Sequence, residues 1–247
     1  MTNARRVALV TDARSYVGPA LAREFARRGH DLVIGAPATG LVEELEGLGS
    51  TVITVDGARN LAESDSAPRL VAAALERFGR IDAAVAFSGQ IIGGKFLEST
   101  DAQLDALFEG CVRGPYHFLK AVAEPMVQQR SGQIVLITSA SAARPTRGAS
   151  LYSSMRAGAT MMAKNLAQEI APSGVQVNAL GTNFMDFPEF HEASGTNDPE
   201  VRARVESRVP LRRMGTLEEF ASFSMAFLDG TSGFTTGQFV AYAGGWA

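Results

Sequence analysis

Apolar positions along this chain fall into two rhythms. Short runs dominated by apolar residues occupy 7–10, 32–34, 51–55, 83–87, 133–137, 175–180 and 238–241. Runs of this length and character predict strands buried on both faces, as in a parallel sheet. Between them, apolar residues recur three and four apart over 21–28, 41–48, 67–78, 101–129, 151–171, 200–207 and 217–228. That is the period of a helix that buries one side. Gly29 and Gly79 close two of these helices, and Pro172 stops a third. Pro115 and Pro125 predict kinks or breaks within 101–129. Residues 181–199, rich in Phe, Gly and Pro, read as a loop.

Strand and helix alternate from one end to the other. The pattern predicts an α/β, Rossmann-like, doubly wound parallel sheet of seven strands with helices on both faces. No linker, repeat or low-complexity segment interrupts it, so residues 1–247 read as a single domain. In such a sheet the ligand site lies at the carboxyl ends of the strands.

Composition narrows the partners more than the fold. A net charge of −3 gives no reason to expect nucleic acid or an anionic membrane, and the paired arginines at 5–6, 27–28 and 212–213 are scattered. No apolar run reaches membrane-spanning length. The start, Met1 to Arg6, lacks an apolar core of the signal-peptide type. With the single cysteine, Cys111, these features predict a cytoplasmic protein without an intrachain disulfide. His30, His117 and His191 lie far apart and form no ligand-spaced pair, so no metal site is expected.

The chemistry-bearing pattern is Ser139, twelve residues, Tyr152, three residues, Arg156. A tyrosine four positions before an arginine on a helix puts both side chains on one face. The guanidinium can then favour the phenolate and make the phenol a proton acceptor. Ser139, just past the fifth strand, can donate to a substrate oxygen. The neighbouring Ser141 is the competing hydroxyl, and the thirteen-residue offset favours Ser139.

This set resembles that of the short-chain dehydrogenase/reductases, where a lysine occupies the place of Arg156 and also holds the nicotinamide ribose. Reductases of that family carry glycines where this chain has Asp12, Tyr16 and Gly18; only the last remains. The second strand ends Gly35-Ala36-Pro37 and offers neither a carboxylate for a ribose diol nor an arginine for a 2′-phosphate. Thr11-x4-Tyr16-x-Gly18 combined with Ser139-x12-Tyr152-x3-Arg156 resembles the halohydrin dehalogenases, relatives that work without a cofactor.

The resemblance implies no cofactor and a carbon–halogen lyase. It would close vicinal haloalcohols to epoxides with loss of halide, and open epoxides with small anions such as azide, cyanide or nitrite. Tyr152 would be the base, Arg156 its activator and Ser139 the holder of the substrate oxygen. Tyr16, Phe87, Thr182, Asn183, Phe184 and Met185 would form the halide and substrate pocket, with Thr182 where the family typically has proline. A homotetramer assembled through residues 101–129 and 151–171 is implied as well. Cys111 reads as a packing residue. Trp246 is open between a subunit boundary and an anchor for its own tail. The alternatives are a divergent NAD(P)-dependent short-chain reductase and a non-catalytic binding protein on the same fold.

Overall fold

The computed structural model describes residues 5–247. Met1–Ala4, which include most of the start considered for a targeting signal, lie outside the described residues. Seven strands form one sheet: β1 (Arg6–Val10), β2 (His30–Gly35), β3 (Val52–Val55), β4 (Ala83–Ala86), β5 (Gly132–Ser139), β6 (Val175–Thr182) and β7 (Phe239–Tyr242). They stand in the order β3-β2-β1-β4-β5-β6-β7, and every pairing is parallel. The winding direction reverses between β1 and β4, which opens a crevice at the carboxyl end of the sheet.

Two cores cover the two faces. On one, α3 (Ser66–Phe78), α5 (Gly114–Gln129) and α6 (Ser150–Ile170) bury Leu70, Phe118, Val122 and Ala163 against the sheet. On the other, α1 (Gly18–Arg27), α2 (Leu41–Gly47) and α9 (Leu217–Ser224) bury Leu21, Phe25, Leu45 and Phe220. Among the described residues no helix is long and apolar enough to cross a membrane.

Where the structure departs from the sequence reading, the reasons are local. The predicted helix 101–129 is α4 (Asp101–Phe108), a π-turn over Glu109–Arg113, and then α5. Pro115 sits in the first turn of α5. It cannot donate to the carbonyl one turn back, so the ladder slips to the wider spacing just before it. The segment read as loop contains α7 (Pro188–Ser194), followed by α8 (Pro199–Glu206). Strand β6 runs two residues further than its apolar run, to Thr182, because β5 pairs with it as far as Ser139↔Thr182. Gly181 permits this pairing: a Cβ there would lie 2.6 Å from the Phe239 ring and 2.8 Å from the Ser139 carbonyl carbon.

Candidate active site

At the carboxyl end of the sheet lies a cavity of about 640 Å³. Asp12, Ser15 and Tyr16 reach it from the turn after β1, and Phe87 and Ser88 from the turn after β4. Ser139 comes from the end of β5, Tyr152 and Arg156 from α6, Thr182 and Asn183 from the end of β6. All three members of the sequence pattern therefore face one space. Each is buried, with relative exposures of 6% for Ser139, 8% for Tyr152 and 6% for Arg156.

Ser139 and its neighbour divide their roles. The Ser139 oxygen accepts from the Ser141 hydroxyl at 2.9 Å and from the Ser141 amide at 3.2 Å. Its own proton has only a long contact to the Thr182 carbonyl, at 3.4 Å. Ser141 thus orients Ser139, whose donor is held only by the long Thr182 contact and can be redirected to a ligand.

The Arg156 guanidinium stands 5.1 Å from the centre of the Tyr152 ring. Its Nε is buried without a hydrogen-bond partner among the described residues. Burial opposes the charge, but Tyr152 and then Cys111 outweigh that effect and hold the guanidinium pKa above its ordinary value. A buried cation with an unpartnered donor is costly in an apolar wall and invites a ligand or a counter-charge. Cys111 packs behind, fully buried with Leu107 and Tyr152. Burial raises its thiol pKa against the opposing pull of Arg156, so it remains a neutral packing residue.

In the turn after β1 the Thr11 hydroxyl is buried without a partner among the described residues, but the Asp12 carboxylate is satisfied internally. Asp12 is buried, and its carboxylate accepts from the Arg14 amide at 2.8 Å, the Ser15 hydroxyl at 3.2 Å and Arg59 Nε at 2.8 Å. Gly18 is required by packing alone, since a Cβ there would meet the Asp12 carbonyl oxygen at 1.9 Å. Tyr16 adopts φ 50°, a left-handed conformation that side chains rarely take. Its ring leans on Phe87 at 5.4 Å and Phe187 at 4.7 Å between centroids, and its hydroxyl donates to Thr182 Oγ1 at 2.7 Å. Burial drives the Tyr16 phenol pKa far up, with the Thr182 bond opposing, so it stays protonated.

Of the six residues expected to wall the pocket, Tyr16, Phe87, Thr182 and Asn183 line the cavity; Phe184 and Met185 do not. Those two turn to a separate space of about 130 Å³ behind β6. Phe184, at φ 54°, stacks edge-on against Trp246 at 5.4 Å. Trp246 is buried against Phe184 and beneath Arg144, 4.6 Å from the ring, so the tail is packed onto its own chain. Phe187, Glu189 and Phe190 line the cavity and are absent from the sequence-based set. A signal for them is present in the chain: Pro188 is well suited to the first position of a helix.

A family profile described as Enoyl-(Acyl carrier protein) reductase matches residues 13–247. The chain is 29% identical over 245 residues to 3-oxoacyl-(acyl-carrier-protein) reductase FabG of Thermotoga maritima, covering 97% of each. It is 32% identical over 251 residues to L-rhamnose 1-dehydrogenase (NAD(P)(+)) of Azotobacter vinelandii, covering 97% of this chain and 96% of the relative. Among solved structures, levodione reductase superposes with a TM-score of 0.88 at 24% identity, covering 97% and 96%. A protein described as a dehalogenation enzyme superposes with a TM-score of 0.86 at 25% identity, covering all of both chains.

These relatives correct the expected activity. The curated ones are named for reductase and dehydrogenase chemistry, which overturns the assignment as a halohydrin dehalogenase, a lyase without nicotinamide acting on haloalcohols and epoxides. One dehalogenating neighbour does not single out haloalcohols. The physical reason is that a serine donor, a tyrosine and a cation grip and protonate a substrate oxygen in either chemistry, so the pattern cannot choose between them. What fold, profile and relatives share is firm: the chain belongs to the short-chain dehydrogenase/reductase family.

Proposed function

We propose that this protein is a divergent short-chain oxidoreductase. It interconverts a hydroxyl and a carbonyl on a small, largely apolar substrate, and Tyr152 exchanges the proton at the substrate oxygen. The relatives' names support the redox class. The observation that carries the site is the weakly held Ser139 donor, in one cavity with Tyr152 and the unpartnered Nε of Arg156. Ser139 holds the substrate oxygen, Tyr152 delivers or takes its proton, and Arg156 keeps a fixed positive charge next to that exchange. Phe87, Phe187 and Phe190 supply apolar walls.

The family's nicotinamide dinucleotide would seat at the turn after β1 only after that turn rearranges. The amide of Arg14 and the hydroxyl of Ser15 are committed to Asp12, and the Tyr16 ring lies between Phe87 and Phe187 with its hydroxyl on Thr182. Binding would require Tyr16 to leave Thr182. The chain's own residues exchange the proton, and a nicotinamide cofactor, once bound, would supply or take the hydride.

The test is titration of the whole chain with NADH and NADPH, followed by a panel of small aliphatic and aromatic ketones. Oxidation of the reduced cofactor coupled to ketone loss is expected. Tyr152→Phe should lower it by about 10²–10⁴-fold. Failure to bind either dinucleotide, or turnover of a substrate with the nicotinamide absorbance unchanged, overturns the reading.

A further inference from the structure

Asp186 takes no part in lining the large cavity, yet each of its carboxylate oxygens is tied to a different helix of the segment that walls it. One carboxylate oxygen accepts from His191 Nε2 at 2.7 Å. The other accepts from Arg202 Nη2 at 2.6 Å. Its backbone amide donates to the Gly215 carbonyl at 2.8 Å, and the Gly215 amide donates to the Phe184 carbonyl at 3.0 Å. One residue thus joins the end of β6, helix α7, helix α8 and the strap before α9.

We infer that Asp186 is a positioning residue: its clasp on His191 and Arg202 fixes, from outside, the aromatic wall formed by Phe187 and Phe190. Both rings belong to the six-residue span closed by the Asp186–His191 bond, and both line the cavity. Helix α7 has only seven residues, too few to hold itself in water. The Phe187 and Phe190 rings contact Tyr16 and Phe184 and pack against the buried clusters on either side. The clasp adds a polar tie from outside to this apolar packing.

The two arms differ in strength. Asp186 and Arg202 are 37% and 38% exposed, so solvent screens their pair. His191 is 14% exposed and is braced on its other side by Thr196, whose hydroxyl lies 2.8 Å from Nδ1 and which is itself buried. The histidine arm carries most of the positioning, and the arginine arm adds α8, which Glu206 steadies at 3.0 Å from Arg202 Nε. The consequence for the wall is independent of the reaction; the consequence for turnover rests on the oxidoreductase reading above.

Hydrogen exchange on the full chain tests the wall directly. Asp186→Ala and His191→Phe should each speed exchange over residues 187–192 at least tenfold, with β5 and α6 unchanged. Arg202→Ala should speed exchange mainly in α8. Kinetics on whichever ketone the native protein reduces should show KM raised at least tenfold in Asp186→Ala and kcat changed less than threefold. Asp186→Asn, which keeps an acceptor oxygen, should recover part of the loss. Unchanged protection over 187–192 in Asp186→Ala overturns the clasp. A fall in kcat at constant KM overturns the positioning role. If no ketone is reduced, the redox reading fails, and the exchange result still decides for or against the clasp.

Discussion

Two arginines sit at opposite ends of the same sheet and are treated in opposite ways. Arg6, at the amino end, is committed through its Nε and Nη2. Its Nη2 faces the Asp82 carbonyl at 3.3 Å, Gln133 Oε1 at 3.0 Å and the Leu228 carbonyl at 3.2 Å, and its Nε donates to His30 Nε2 at 3.2 Å. Arg156, at the carboxyl end, is more deeply buried and has an orphaned Nε. The amino end is built to hold β1, β2, β4 and β5 together. The carboxyl end keeps binding capacity unfilled, although an apolar side chain of the same length would suit the core better. Unfilled capacity in a buried cation marks the place where a ligand acts, and satisfied capacity marks scaffold.

Exchanging each arginine for methionine sharpens the contrast most. Arg156→Met should lower turnover at least tenfold, and about 10²-fold is reasonable for loss of a charge beside the proton exchange. Its stability in urea should stay level or rise, because a buried charge with an orphaned donor is replaced by an apolar chain. Arg6→Met should do the reverse. Activity per folded molecule should hold, while stability should fall by about 3 kcal/mol as buried acceptors lose their donor. If both variants lose stability equally, the distinction between the two ends collapses.

The smallest effect is one of pH. Arg6 donates to His30 Nε2, so that nitrogen carries a lone pair and the ring proton sits on Nδ1, 3.2 Å from the Phe25 carbonyl. Burial first, and Arg6 second, lower the His30 pKa below its ordinary value. Folding therefore favours the neutral ring. Its contribution is complete above about pH 6.5 and is lost as pH falls below that toward the folded value. Melting temperature should decline between pH 7 and pH 5, before the carboxylates titrate. His30→Gln should flatten that decline, and an identical slope in the variant would assign it elsewhere.

The same contrast explains how much of the molecule is legible in its sequence. Strands are legible because a doubly covered parallel strand must be apolar throughout, and the predicted runs end within two residues of the observed strands. The largest shortfalls are at β5 and β6, whose polar last residues, Ser139 and Thr182, pair beyond the apolar runs. Ser139, Tyr152 and Arg156 are legible because a helix repeat and a strand end place them together whatever surrounds them. The break at Pro115 is legible, but its form, a π-turn over Glu109–Arg113, is not; helix α5 runs on through Pro125, and α7 leaves only the faint signal of Pro188. Resemblance assigns Phe184 and Met185 to the pocket. In the folded chain the left-handed turn at Phe184 sends that ring toward Trp246 instead.

The sequence alone determined the periodicity and its consequences: a seven-stranded parallel sheet, helices on both faces and a serine–tyrosine–arginine set gathered at the carboxyl edge. These are properties of near neighbours and of burial, which a chain carries in its order. Only the tertiary structure decided which polar groups remain free. Asp12 finds Arg59 forty-seven residues away, Tyr16 finds Thr182 across the crevice, and Arg156 finds no partner for its Nε among the described residues. Hydrogen-bond satisfaction is settled by distant parts of the chain meeting in space, and so it becomes visible only once the chain is folded.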